Sequence, residues 1–172
     1  MNRKLTFLAV AVAATFLFGS VAMAQLKIGV VDLQTAVAST KAGKKAKSKL
    51  EKAKNKAENE IEKRAEKIKK MEEEMQKQMP LMSEGGKKDM LDRYRKEMLE
   101  LQEMVQQNQV KLAKKRNGLL EPILNKMGAI IQDLALSDGY TMIIDKSAGT
   151  VLYHEPTIDL TNEVIKRYNA QK

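Results

Sequence analysis

The sequence predicts an α+β fold in which a small strand-bearing body, assembled from both chain ends, carries one long α-helical coiled-coil hairpin. Three observations lead there. From about Lys44 to the turn at Pro80 the chain is Lys, Glu, Ala, Gln, Met and Asn without a Gly or Pro, mostly strong helix formers. A second stretch, Leu91 to Leu119, repeats apolar residues at alternating spacings of three and four. Short β-branched runs, Leu26 to Asp32 and Tyr140 to Asp145, lie on either side of this helical pair.

Ahead of the first strand, Arg3 and Lys4 precede an uncharged apolar stretch from Leu5 to Val21, which ends in Ala22-Met23-Ala24. These are the basic, hydrophobic and small-residue regions of a secretory signal, so residues 1–24 are expected to be a signal peptide cleaved after Ala24. The alternative is an uncleaved anchor, because Leu5 to Gln25 carries no charge and approaches the length that spans a bilayer. Cleavage leaves 148 of the 172 residues and removes two cations, lowering the formal charge from +9 to +7. With no Cys, the exported chain uses no disulfides, offers no thiolate or cysteine-zinc chemistry, and has no site for a lipid at its new N-terminus.

In the mature chain, Leu26-Lys27-Ile28-Gly29-Val30-Val31-Asp32 reads as a mostly buried strand, with Asp32 placed to cap a helix beginning near Leu33 or Gln34. The long helix after Lys44 carries a narrow stripe of Ala46, Leu50, Ala53, Ala57, Ile61, Ala65, Ile68, Met71 and Met75 on a charged rod. Pro80 and Ser83-Glu84-Gly85-Gly86 are the turn chemistry of a hairpin tip. The return helix answers with Leu91, Tyr94, Met98, Leu101, Val105, Asn108, Leu112, Lys115 and Leu119. At about 1.5 Å per residue the paired arms extend on the order of 60 Å, and Asn108 and Lys115 on the seam weaken it while helping to fix register.

Gly118 and Pro122 are expected to interrupt the rod and make a hinge where arm meets body. Beyond them Ile123, Met127, Ile130, Ile131 and Leu134 form a wider apolar face, which Ser137-Asp138-Gly139 ends. Tyr140–Asp145 and Thr150–Tyr153 read as two strands of a hairpin joined through Lys146 to Gly149. A last helix follows Pro156, capped by Asp159 or Thr161, with Val164, Ile165 and Tyr168 available for burial. The predicted partition is therefore a body from 25–40 and 117–172 and a helical arm from 41–116. About three short strands make a marginal sheet with open edges. Closing the strands of several protomers into one barrel is the expected remedy, with the number left open.

Charge is concentrated on the arm: residues 41–116 hold 23 Lys and Arg against 14 Asp and Glu. One reading is a solvated helical face with weak ion pairs. The other is attraction of acidic polypeptides, anionic membrane surfaces, lipopolysaccharide or nucleic acid. Specific nucleic-acid binding is disfavoured by the export signal and by the lack of stacking aromatics around Tyr94. Met71, Met75, Met79, Met82, Met90, Met98 and Met104 lie toward the distal half of the hairpin. They either fill the seam or present an adaptable thioether surface to apolar segments, a role centred on Met79, Met82 and Met90 around the tip.

Enzyme chemistry lacks its parts. His154 follows Tyr153 without an evident Asp–Ser or Cys partner, and Asp32 and Asp145 merely end strand-like runs. No Gly-rich phosphate loop or metal-ligand spacing occurs, so no catalytic residue, cofactor or metal is expected.

Taken in order, the signal, Lys27-Ile28-Gly29-Val30-Val31-Asp32, the Lys/Glu/Ala/Met hairpin, Gly139-Tyr140-Thr141-Met142-Ile143-Ile144-Asp145 and Asp159-Leu160-Thr161-Asn162-Glu163-Val164-Ile165 resemble the Skp/OmpH family of periplasmic chaperones. The resemblance covers nearly the whole mature chain and rests on the order of the pieces. It implies a jellyfish-shaped homotrimer whose strands form a small β-barrel body, with three helical tentacles around a client cavity. It further implies ATP-independent holding of unfolded outer-membrane proteins in the periplasm and their delivery to the outer membrane. On that pattern Ile28, Val30, Met142, Ile144, Val151 and Tyr153 belong to the trimer body, while no individual client contact or lipopolysaccharide patch carries over. Two rival functions stand beside it: a structural coiled-coil envelope spacer, and a basic protein that binds polyanions.

Overall fold

A computed structural model describes residues 26–149 and 151–171. The expected signal peptide and its cleavage after Ala24 lie outside these residues. Strand β1 (Ile28–Val31) leads into helix α1 (Leu33–Ser39), then helix α2 (Lys41–Gln78), a single 3₁₀ turn at Met79–Leu81 and helix α3 (Glu84–Asp138). Strand β2 (Met142–Asp145), a 3₁₀ turn at Pro156–Ile158 and helix α4 (Thr161–Ala170) complete the chain. The result is mostly helical, a long hairpin of α2 and α3 rising from a small body.

Asp32 starts α1 as expected, accepting hydrogen bonds from the Thr35 amide and hydroxyl, both at 2.8 Å. A corner that the composition of the helix conceals comes next. Thr40 is fully buried between α1 and α2; its hydroxyl accepts from the Gly43 amide at 2.9 Å and donates to the Val37 carbonyl at 2.9 Å. One side chain thus caps the C-terminus of α1 and the N-terminus of α2. A side chain at Gly43 would collide with the Val37 carbonyl, so the close approach of the two helices requires glycine there.

The distal turn runs through Met79–Leu81, and Ser83 caps α3 by accepting from the Gly86 amide at 3.3 Å. Gly85 and Gly86 therefore open the return helix instead of forming the tip. Helix α3 spans 55 residues, roughly 80 Å, and runs without a break through Gly118 and Pro122. The predicted interruption does not occur. Proline removes the amide that would bond four residues back, and that residue is Gly118, so the loss is one carbonyl's bond at a position with open space around it. The helix continues because its lower part is held by packing: Ile123, Met127, Ile130 and Leu134 are all buried.

The sheet also departs from the hairpin expected of it. β1 pairs with β2 in parallel, with Ile28 opposite Met142 and Val30 opposite Ile144. On the other side of β1, Val30 bridges Asp159, and the Leu160 amide bonds to the Val30 carbonyl at 2.8 Å. The Val151–Tyr153 segment forms no strand, and Leu152 is 97% exposed. Its diversion has a local cause. Asp145 accepts from the Ser147 amide at 2.9 Å and hydroxyl at 2.8 Å, while Gly149 takes a positive φ of 72°, turning the chain away from β2.

Val31, Ala36, Ala46, Ile123, Met127, Ile130, Val164 and Tyr168 form the body core, drawn from both ends of the chain. Asp159 accepts from the Thr161 amide at 2.9 Å and hydroxyl at 2.6 Å, and Lys146 reaches its other oxygen at 2.7 Å. Burial alone would raise the Asp159 carboxyl; the Lys146 ammonium and the Thr161 donors outweigh it and hold it at about 2.

Thr40→Ala is expected to destabilise the folded chain by about 1–2 kcal/mol, read as a lower urea midpoint at unchanged slope. Asp159→Asn is expected to lower the urea midpoint at about pH 7. Because the Asp159 value is depressed on folding, its contribution is full above about pH 4 and fades toward pH 2. The gap between variant and parent should therefore narrow across that range at fixed protein concentration.

Candidate functional site

The arm is the largest feature that the body core does not account for. Its seam follows the heptad spacing closely. On α2 the residues turned inward are Ala46, Leu50, Ala53, Ala57, Ile61, Arg64, Ile68, Met71 and Met75. Arg64 occupies the position predicted for Ala65, which is exposed. On α3 the corresponding exchange puts Glu97 inward in place of Met98, which is 43% exposed. Asn108 lies on the seam as expected, whereas Lys115 is exposed.

These exchanges are partners. Arg64 meets Glu97 at 2.9 Å and also Glu100, and Lys67 reaches Glu97 at 2.6 Å. The hydrogen bond from Lys67 dominates over partial burial and, with Arg64, holds the Glu97 carboxyl below its ordinary value. Arg64 Nε and Asn108 Nδ2 are buried without a partner in the seam. An apolar seam would be more stable; a charged cluster at one level favours a single alignment of the two helices.

The methionines around the tip are each half-buried. Met79 joins Met75, Pro80 and Tyr94 in a groove of about 550 Å³, which Lys87 and Glu72 flank. Met82 and Met90 do not line it. The most exposed apolar side chains of the arm are others: Leu81 at 89%, Leu99 at 61% and Val110 at 64%. Leu99 belongs to a second groove, about 540 Å³, with Met98, Val105, Gln102, Gln106 and Gln109. A sequence signal marks this strip, because no Lys or Arg occurs between Lys96 and Lys111 on an arm otherwise dense in cations.

In the body, Val30 is buried, Ile28, Ile144 and Val151 are half-buried, and Met142 and Tyr153 are exposed. The pairing of β1 with β2 brings Ile28 to Met142 and Val30 to Ile144, but it does not bring Val151 and Tyr153 to either. The outer edge of β2 has no strand partner among the described residues.

Groups with potential catalytic chemistry have structural work. Asp32 caps α1; Asp145 accepts from the Leu33 amide at 3.2 Å as well as from Ser147. His154 meets the Lys146 ammonium at 3.1 Å and the Glu155 carbonyl at 3.0 Å. Among the described residues no cluster of His, Cys, Asp and Glu is arranged to hold a metal, and no helix is long and apolar enough to cross a membrane.

Against known families, the model described as outer membrane protein (OmpH-like) matches residues 27–168. The chain belongs to the OmpH-like family. That match runs through both body segments and the entire arm, in the order on which the sequence resemblance rests. Among solved structures, an OmpH-like protein from Caulobacter crescentus CB15 is similar at a TM-score of 0.72. The two share 14% identity, with 86% of each chain covered, a likeness of fold. No curated protein matches the sequence.

For this OmpH-like arm, Arg64→Leu is expected to lower the thermal midpoint by several degrees by leaving Glu97 inward with Lys67 alone. Combining it with Glu97→Leu should restore or exceed the parent midpoint, since an apolar pair carries no desolvation cost. Circular dichroism melts of the two variants and the parent check this, and an additive loss in the double variant would contradict the pairing.

Proposed function

We propose that this chain is an ATP-independent holding chaperone of the periplasm, reached through a cleaved signal of residues 1–24. In this reading it acts as a homotrimer whose arms surround unfolded outer-membrane proteins, prevent their aggregation and assist their delivery. The domain division that serves it is a trimer body from 25–40 and 117–172 and an arm from 41–116. It uses no cofactor and performs no catalysis.

The observation that carries the proposal is the strip from Met98 to Val110, free of Lys and Arg on a basic arm, with Leu99 and Val110 turned to solvent. Unfolded barrel proteins expose alternating apolar side chains and unpaired backbone. Leu99, Val110 and the tip groove at Met79 offer apolar contact, and the Gln102, Gln106 and Gln109 amides offer both donors and acceptors to extended chain. Surrounding Lys and Arg raise the encounter rate with acidic clients, and weak dispersed contacts let a client remain mobile. Met82 and Met90 extend the same adaptable surface around the tip. Family membership and the fold shared with an OmpH-like protein support the assignment.

Trimerisation answers the body's open sheet edge. Further copies would cover the exposed Met142 and Tyr153 and pair the free edge of β2, with Ile28, Val30, Ile144 and Val151 at or behind that contact. Lipopolysaccharide or an anionic membrane surface is a secondary partner for the basic arm, and specific nucleic acid is not. A hinge at Gly118 and Pro122 would act by bending a continuous helix that lacks one backbone bond.

The test is light scattering of a urea-diluted outer-membrane barrel protein with residues 25–172 and no nucleotide, alongside the mass of the chain in solution. Suppression at one trimer per client is expected, and Leu99→Glu with Val110→Glu should need several-fold more protein for the same effect. A folded trimer that fails to suppress scattering would leave the envelope spacer. Suppression that vanishes entirely at high salt would leave a polyanion binder.

A further inference from the structure

The charge of the arm is not spread along its length. Its root consists of residues 41–56 of α2 and residues 105–120 of α3, which run back beside them, and carries twelve Lys and Arg against the single acid Glu51. The rest of the arm, 57–104, carries eleven Lys and Arg against thirteen acids. The pairing of Arg64 with Glu97 sets the two root stretches side by side, and Lys47 and Arg116 line one groove there. Among the described residues, every ion pair that crosses from α2 to α3 joins Arg64 or Lys67 to Glu97 or Glu100, beyond the root. Lys54 and Lys56 reach acids of their own helix instead, Glu58 at 3.5 Å and Glu60 at 3.9 Å. The packing beneath these cations is thin. On α2 the seam there is Ala46, Leu50, Ala53 and Ala57; on α3 Asn108 lies inward with its Nδ2 buried and unpartnered, and every residue from 113 to 118 is exposed. A groove of about 360 Å³ opens at this level, with Leu50, Leu119, Leu120 and Leu124 among its walls.

We propose that the root of the arm is a joint controlled by ionic strength: like charge pushes α2 and α3 apart there, and dissolved ions let them close. Three effects act in one direction at this level. Repulsion between the cations of the two helices has no cross-helix acid to offset it. Alanines bury little apolar surface, so the hydrophobic resistance to separation is small. The unpaired Asn108 amide gains water on separation and gives up no protein partner. Helices packed along a seam lie about 8–10 Å apart, close to the screening length of about 10 Å in 0.1 M salt, so ordinary salt concentrations span the working range. The levels on either side are firm. Above the root, Arg64 and Glu97 attract across the seam, and Ile61 and Ile68 supply larger apolar side chains. Below it, Ile123, Met127 and Ile130 are buried in the body core. Separation is therefore confined to the root, where it sets the direction in which the distal arm points. The joint belongs to the hairpin of one chain and does not depend on the holding function.

The experiment follows amide hydrogen exchange by mass spectrometry on the assembled chain of residues 25–172, at about 10 mM and about 1 M NaCl, between which the screening length falls from about 30 Å to about 3 Å. Amides of 46–57 and 105–116 are expected to exchange at least about threefold more slowly at the higher salt. Those of 61–71 and 91–101 should hold steady or speed up, because salt weakens the attraction across their part of the seam. Lys114→Glu with Lys115→Glu, at two exposed positions, should give the root its high-salt protection already at low salt and remove the response. Asn108→Leu should raise root protection at both salts and leave the response in place. Root amides that salt does not slow overturn the proposal. Slowing by the same factor in root and distal amides also overturns it, since that is salt stabilising the fold as a whole. So does a Lys114→Glu, Lys115→Glu chain that keeps the parent's response.

Discussion

Everything in this fold depends on the alignment of α2 against α3. Ile28 and Met142 are opposite one another in the sheet although the whole arm separates them in sequence. They meet only when the outgoing and returning helices pair in one register. A slip of one heptad would shift the lower α3 by roughly 10 Å and remove Ile123, Met127 and Ile130 from the core they share with Val31 and Ala36. The inward pair of Arg64 and Glu97, flanked by Lys67 and Glu100, resists that slip, because a shift that separates the pair leaves each charge in the seam without its partner. Small seam residues such as Ala46 and Ala57 contribute close approach, but being alike they discriminate poorly among registers.

Much of this plan was legible in the residues. The helix-forming runs, the 3–4 spacing, the Asp32 cap and the two flanking β-branched segments located the hairpin and the body. What escaped followed from choosing residues by hydrophobicity over spacing. Ala65 and Met98 looked like seam positions because they are apolar, while the geometry turns Arg64 and Glu97 inward and reconciles them with each other. Thr40 was hidden for a related reason: a helical composition continues straight across the corner, and only the double use of one hydroxyl reveals it.

Two other departures show tertiary context overriding local signals. Pro122 reads as a break, yet the carbonyl it leaves free belongs to Gly118 and the helix beyond it is anchored by four buried side chains. Thr150–Tyr153 reads as a strand, but Val151–Tyr153 forms none, and the turn built on Asp145 and Ser147 precedes it. Of the candidate site, the basic charge and the methionine cluster were visible at once. The exposed strip from Leu99 to Val110 was visible only as a gap in the cations, and the root groove not at all, because its leucines come from three helices whose convergence no local pattern records.

The bridge from Val30 to Asp159 and Leu160 carries a consequence for the order of synthesis. The first strand waits for residues made after the whole arm, since Val164 and Tyr168 also complete its core. A ribosome therefore produces the entire arm before the body has a closed interior. During that interval the hairpin is stabilised only by its own seam, and its emerging apolar strip has no folded base beneath it. A chain that stops between α3 and the final helix would keep both helices of the hairpin but lack Val164 and Tyr168 in its core.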